Sequence, residues 1–224
     1  MAAKKKNPVK RVLIVDDHPM MRQGLAQLID NEPDLKVGAE ADKGSQAMAA
    51  LSAQKLDLVL LDISLPDKNG LEIVKDIRAL QPDLPVLVVS MHDEALYAER
   101  VLRAGARGYI MKQEGGKKLM QAIRQVLEGK IYVSERISTR ILETLSGRKD
   151  SPGSSPVQRL SDREFEVFQL IGEGKGTREI AAHLHLSVKT VEVHRARIKE
   201  KLELKSATEV VRCAVRWAEA QGTV

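Results

Sequence analysis

The chain is poor in the features that would point to a secreted or membrane-bound protein. It has one cysteine, Cys213, in 224 residues, which excludes an internal disulfide framework and a cysteine-based zinc site. Set in "EVVRCAVRWA", that cysteine reads as a small core residue and not as a nucleophile. No apolar run approaches the roughly 18 residues of a membrane span. The opening "MAAKKKNPVKR" is basic, but no apolar stretch follows it, so residues 1–10 read as a basic tail and not as a secretory signal. No internal repeat is found. A reducing, cytoplasmic setting without a membrane partner is therefore expected.

With 43% hydrophobic and 30% charged residues the composition is that of an ordinary globular protein, and 224 residues suffice for two domains, each with its own core. The net charge of +5 permits nucleic-acid binding without requiring it. Its distribution says more. Residues 187–205 carry six cations, Lys189, Arg195, Arg197, Lys199, Lys201 and Lys205, against three acids, Glu192, Glu200 and Glu203.

From Arg11 onward, short β-rich runs alternate with amphipathic stretches. "RVLIV", "LKVGAE", "DLVLL", "PVLVVS" and "GYIM" are predicted strands, followed by helices over 19–30, 45–53, 71–80, 94–104 and 117–127. Five such units in series predict an α/β domain over 11–129, with a doubly wound five-stranded parallel sheet and right-handed crossovers. Unbroken apolar runs such as "LVLL" suit central strands covered on both faces. A further helix over 134–145 leads into "SGRKDSPGSSPVQ", a Ser-, Pro- and Gly-rich stretch that reads as a linker; helix and linker together occupy 130–157. From 158 to 224 the pattern is purely helical, with helices over 162–173, 177–184, 188–202 and 207–218. In "LSDRE", Ser161 and Glu164 have the spacing of a capping box.

The strand ends carry the chemistry. Asp16 and Asp17 follow the first strand, Asp62 the third, Ser90 closes the fourth and Lys112 follows the fifth. In a parallel sheet these side chains gather at one edge, where ligands of doubly wound folds bind. Clustered carboxylates repel unless a cation neutralises them, and a hard divalent ion such as Mg²⁺ takes a few carboxylates while keeping positions for phosphate oxygens. Lys112 and the Ser90 hydroxyl add what a phosphoryl group needs at its outer oxygens. Taken singly, each of these residues also fits a turn or a helix start, as in Asp17-His18-Pro19. His18 and His92 do not make a transition-metal site of a cluster dominated by carboxylates.

"VLIVDDH", "LVLLDISLPDKNGLEIV", "PVLVVSMHD" and "GARGYIMK", in this order and spacing, resemble the receiver domain of a two-component response regulator, which has the flavodoxin-like fold. The resemblance implies that Asp62 accepts a phosphoryl group from a sensor histidine kinase. It also implies that Asp17, Asp62 and the backbone carbonyl of Ser64 bind Mg²⁺, with Asp16 assisting through water. Lys112 would pair with the phosphoryl oxygens, and Ser90 and Tyr109 would form the switch pair that relays the event to the α4–β5–α5 face. Pro66 and Gly70 match the turn after the acceptor. Gln113 stands where many receivers have proline, and Gly115 and Gly116 predict a late or frayed start to the fifth helix.

In "TREIAAHLHLSVKTVEVHRARIKEKLEL", residues Ile180, Ala181, Leu184, Leu186, Val188, Val191 and Ile198 are expected to face one small core. The short connection predicts a helix-turn-helix over about 177–196, whose second helix presents charge outward. Charge alone favours a solvated face. "LSDREFEVFQLIGEGKGTREIAAHLHLSVKTVEVHRARIKEKL" is similar to the LuxR-type DNA-binding domain of NarL/FixJ regulators. That similarity makes Thr190, Glu192, Val193, His194, Arg195 and Arg197 candidate DNA contacts, with Lys189 and Lys199 on phosphates. The stripe Val210, Val211, Ala214, Val215 and Trp217 is expected to bury in the module or to pair with a second copy.

The expectation is a DNA-binding response regulator, not an enzyme, whose phosphorylation controls dimerisation and promoter binding; its partners would be the kinase, promoter DNA, a second copy and RNA polymerase. One alternative is a Mg²⁺-dependent aspartyl phosphotransferase or phosphatase. Haloacid-dehalogenase-like enzymes of that kind have Asp-x-Asp after the first strand, whereas here the acceptor follows the third and Ser64 stands two beyond. A DNA-binding protein independent of phosphorylation is the other.

Overall fold

In a computed structural model of the chain, residues 8–145, 156–184 and 186–221 are described. The first seven residues of the basic tail, linker residues 146–155 and His185 of the predicted turn lie outside the described residues. Two compact units divide between Leu145 and Ser146.

The first unit runs β1 (Lys10–Val15), α1 (Pro19–Asp30), β2 (Leu35–Ala41), α2 (Gly44–Ala53), β3 (Leu58–Leu61), α3 (Gly70–Leu80), β4 (Val86–Ser90), α4 (Glu94–Ala104), β5 (Gly108–Met111), α5 (Gly115–Leu127) and α6 (Glu135–Leu145). All strand pairs are parallel, and the sheet order is β2-β1-β3-β4-β5. The order reverses at β1, so the crevice of this fold opens beyond the carboxyl ends of β1 and β3. Val12, Ile14, Leu58, Leu60, Leu87, Val89 and Ile110 pack on Leu25 and Ile29 of α1 and on Leu119, Ile123 and Val126 of α5. Leu13, Val15, Val59 and Leu61 alternate with them and turn to the other face, also fully buried. Burial of each such aliphatic side chain is worth roughly 1.5–3 kcal/mol, which fixes the register and with it the residues at the strand ends.

The helix α5 does not start late. It begins at Gly115, two residues before the predicted start, and follows a 3-10 turn over Lys112–Glu114. Gly116 lies against α1, where a Cβ would come 2.9 Å from the Leu28 side chain. A larger residue there would make the end of the Leu28 side chain shift. The helix predicted before the linker is present as α6 and belongs to the first unit: Ile137 is buried, Arg140 donates to the Ala95 carbonyl of α4 at 3.1 Å, and the Tyr109 N–H donates to the Tyr132 carbonyl at 2.9 Å.

The second unit has a 3-10 turn over Pro156–Arg159 and four helices, α7 (Asp162–Gly172), α8 (Thr177–His183), α9 (Val188–Lys201) and α10 (Ala207–Gln221). The Ser161 hydroxyl accepts from the Glu164 N–H, and Glu164 accepts from the Ser161 N–H, which completes the capping box. Phe165 and Phe168 of α7 meet Trp217 of α10 edge-on at 5.5 and 5.7 Å. Ile180, Ala181, Val191 and Ile198 are buried as expected, whereas Val188 is 42% exposed because it opens α9 beyond the core. On α10 the buried stripe is Val210, Ala214 and Ala218; Val211 faces outward, and Cys213 is half-buried.

Candidate functional site

Pairing of Val15 with Leu61 sets the residues that follow, Asp16 and Asp62, side by side at the sheet edge. The Asp62 N–H donates to the Val15 carbonyl at 2.8 Å, and the Asp16 N–H to the Ala41 carbonyl at 3.1 Å, so the ladder continues through both acids. Ser90 pairs with Met111, and the next residue, Lys112, reaches into the same crevice. Asp16, Asp62, Ser90 and the Lys112 side chain are all buried.

One ammonium serves two carboxylates here. Lys112 Nζ lies 2.6 Å from Asp62 Oδ2 and 2.6 Å from Asp16 Oδ2. Burial pushes the Asp62 carboxyl up, an effect that Lys112 only partly offsets and that Asp16 reinforces. Burial alone would push Lys112 down, yet Asp62 and Asp16 outweigh it and hold the ammonium above its ordinary value. Asp16 is fixed further by the His18 N–H at 2.9 Å, and its carbonyl accepts from Arg22 at 2.6 Å.

One ligand atom each from Asp16, Asp17, His18 and Asp62 lies within 4.8 Å of the others. Asp17 Oδ1 is 2.6 Å from His18 Nδ1 without hydrogen-bonding alignment, and among the described residues it is buried with no hydrogen-bond partner. A buried carboxylate oxygen left over in a cluster of carboxylates fits an oxygen-seeking divalent cation. Ser64 is exposed just beyond, its N–H 3.4 Å from Asp62 Oδ1.

The loops around the crevice are tied by contacts of His92 and Asp67, two residues to which the sequence reading gave no role there. Ser64 Oγ and His92 Nε2 are 2.8 Å apart, which links the loop after β3 to the loop after β4. The His92 N–H donates to Ser90 Oγ at 3.3 Å, its carbonyl accepts from the buried Tyr109 hydroxyl at 2.7 Å, and its ring stacks on Tyr97 of α4 at 4.7 Å. Burial pushes the Tyr109 hydroxyl up, so the phenol keeps its proton. Asp67 accepts from the Gly44 and Ser45 N–H groups at 2.8 and 2.9 Å and so holds α2 against the β3–α3 loop. At Gly70 a Cβ would sit 2.6 Å from Ile63 Cα and 2.7 Å from the Asp62 carbonyl, so only glycine lets α3 start this close to the acceptor. No local pattern marks the ties of Ser64 to His92 or of Asp67 to Gly44 and Ser45, whose partners stand more than 20 residues apart.

In the second unit, Ser187 caps α9 by accepting from the Thr190 N–H at 3.0 Å, and the Leu186 N–H closes the turn on the Ala181 carbonyl at 2.9 Å. Val191 and Ile198 fix α9 by burial, which leaves Lys189, Glu192, Val193, Ala196, Arg197 and Lys199 exposed on the outer side. Thr190 is half-buried, with its hydroxyl 2.7 Å from Ser187 Oγ, and Arg195 is half-buried, 3.5 Å from the Thr177 hydroxyl. His194 is half-buried with Nδ1 enclosed and, among the described residues, without a partner; burial pushes its imidazole down.

Residues 12–124 match the family described as response regulator receiver domain, and residues 158–214 the family described as bacterial regulatory proteins, luxR family. The chain is 35% identical over 210 residues to the oxygen regulatory protein NreC of Staphylococcus haemolyticus, covering 92% of this chain and 97% of that one. Among solved structures it is similar to RcsB of Salmonella enterica serovar Typhimurium bound to promoter rprA in the presence of BeF3⁻, at 24% identity and TM-score 0.70, covering 91% and 97% of the two chains. A structure of two RcsB dimers bound to two parallel DNAs is similar at 25% identity and TM-score 0.57, with 91% and 97% covered.

Proposed function

Because the chain belongs to the two-component response regulators that join a receiver domain to a LuxR-type DNA-binding domain, we propose that phosphorylation of Asp62 by a sensor histidine kinase controls its binding to promoter DNA. The observation that carries this reading is the buried pair of acids sharing Lys112 at the switch point of the sheet.

An Asp62 carboxylate oxygen attacks phosphorus as the bond to the kinase's histidine nitrogen breaks. Lys112, already 2.6 Å from Asp62, follows the new phosphoryl oxygens. The Ser90 hydroxyl, which accepts from the His92 N–H and hydrogen-bonds Tyr109, would turn its proton to the phosphoryl group. Asp17, Asp62 and the Ser64 carbonyl would hold Mg²⁺, with Asp16 acting through water; when bound, the ion neutralises the carboxylates and the incoming charge. The Asp17 oxygen, buried and without a hydrogen bond, supports that assignment.

The modification turns the Asp62 carboxylate, of charge −1, into an acyl phosphate of about −2 with three strong acceptor oxygens, in a crevice whose one ammonium is already shared, so the Ser90–Tyr109 pair and the faces of α4, β5 and α5 have a new charge to answer. On α9, Lys189 and Lys199 neutralise phosphates while Thr190, Glu192, Val193, Arg195 and Arg197 meet the groove, with His194 at the margin. A cytoplasmic regulator that binds as a homodimer and contacts RNA polymerase completes the reading. RcsB dimers on DNA are the precedent for the dimer. The chain acts as a regulator and not as an enzyme turning over external substrates.

Intact-mass measurement after incubation with a small phosphodonor tests the first step. A single phosphoryl adduct is expected on the wild type with Mg²⁺, and none on Asp62→Ala or with a chelator. Wild type that stays unmodified refutes the reading.

A further inference from the structure

We propose that Glu192 determines sequence specificity by requiring a cytosine in the major groove, at one base pair of each half-site. This rests on the reading of α9 as the recognition helix. Glu192 is exposed on the outer side of α9, with Lys189 one turn before it and Val193 and Ala196 beside it. Among the described residues no hydrogen bond or ion pair engages its carboxylate. Two cations stand at helical spacing from it: Lys189 is exposed and forms no ion pair with it among the described residues, and Arg195 is half-buried and directed to Thr177 at 3.5 Å.

An unpaired carboxylate on a surface that meets phosphates is repelled by DNA and weakens binding at every sequence. The same group gains only where it accepts a hydrogen bond, because an ionised carboxylate has no proton to give. Two bases offer donors in the major groove, cytosine through N4 and adenine through N6. Adenine places its N7 acceptor next to that donor, and a carboxylate facing N7 meets lone pairs with lone pairs. Cytosine presents its N4 donor beside a C5–H edge, which does not repel the second oxygen. Ala196, one turn on, has no side chain long enough to hold Glu192 off the base edge, and Val193, 44% exposed, offers a neighbouring base an apolar contact. Glu192 thus works chiefly by penalty, since every half-site without the donor leaves a charge desolvated and unpaired.

Selection of binding sites from randomised duplexes, with the full-length chain treated with phosphodonor, tests this for wild type, Glu192→Gln and Glu192→Lys. The wild type is expected to select cytosine at one position per half-site, and replacing it is expected to weaken binding roughly 5- to 150-fold. Glu192→Gln should move that preference to adenine. Glu192→Lys should move it to guanine and steepen the salt dependence by about one phosphate's worth. All three proteins selecting one common sequence, with only a uniform change in affinity, overturns the proposal while leaving the helix-turn-helix reading intact. A wild type that selects no sequence overturns both.

Discussion

Lys112 Nζ stands 2.6 Å from Asp62 Oδ2 and at the same distance from the neighbouring Asp16, so a single ammonium balances two buried carboxylates. Without a divalent cation this arrangement carries an excess negative charge that folding must enclose. Asp62→Asn removes that excess and keeps the shape. It is expected to raise the urea midpoint of the first unit by the equivalent of roughly 1 kcal/mol in chelator. Lys112→Met has the opposite sign, a loss of about 3–5 kcal/mol, since it leaves both acids buried without a cation.

The Asp17 oxygen that makes no hydrogen bond gives a test of metal binding that needs no phosphodonor. Mg²⁺ at about 100 times its dissociation constant should stabilise the first unit by ~2.7 kcal/mol, seen as a higher unfolding midpoint. Asp17→Asn should abolish that increment, and Asp62→Asn should reduce it. Equal increments in all three proteins would place the ion elsewhere.

Gly70 is the point where α3 meets the backbone of the acceptor loop. In Gly70→Ala the new methyl group collides with backbone and not with a movable side chain, so the loop carrying Asp62 must shift. A loss of roughly 1–3 kcal/mol is expected, with slower modification of Asp62 by phosphodonor. A variant with unaltered stability would show that the approach is looser than the structure has it.

Acid sensitivity of the second unit follows from Glu164. Burial pushes its carboxyl up, but the hydrogen bonds from Lys201 at 2.7 Å and from the Ser161 N–H at 2.8 Å outweigh it and hold the group below its ordinary value. A depressed carboxyl stabilises fully above the unfolded value, about 4.3, and the contribution is lost as pH falls through the folded value. Trp217, the one tryptophan, packs on Phe165 and Phe168 and reports this unit alone. Its fluorescence should show acid unfolding whose steep limb is flattened in Glu164→Gln.

Much of this was legible in the sequence because unbroken apolar runs such as "LVLL" admit only a strand covered on both faces, and such strands deliver Asp16, Asp62 and Lys112 to one edge. The capping box of Ser161 and Glu164 was equally legible, since both partners lie within four residues. What was not legible depends on approach between distant segments. The glycine pair at 115–116 reads locally as a frayed helix start, whereas Gly115 takes a left-handed φ of 78° and Gly116 lies close against Leu28. His92 has no role in the sequence once a transition-metal site is set aside, yet its backbone and ring join Ser64, Ser90, Tyr97 and Tyr109. Val188 was misassigned to the core because the apolar pattern of α9 does not show where the helix leaves the module.

The central claim, that one carboxylate governs what α9 does on DNA, is tested most directly by the affinity for a selected promoter duplex with and without phosphodonor. The wild type is expected to bind at least tenfold more tightly after treatment with phosphodonor and Mg²⁺, a change of about 1.4 kcal/mol, while Asp62→Ala shows the same weak affinity in both conditions. Equal affinities for the untreated and treated wild type, with Asp62 shown to be modified, would contradict it.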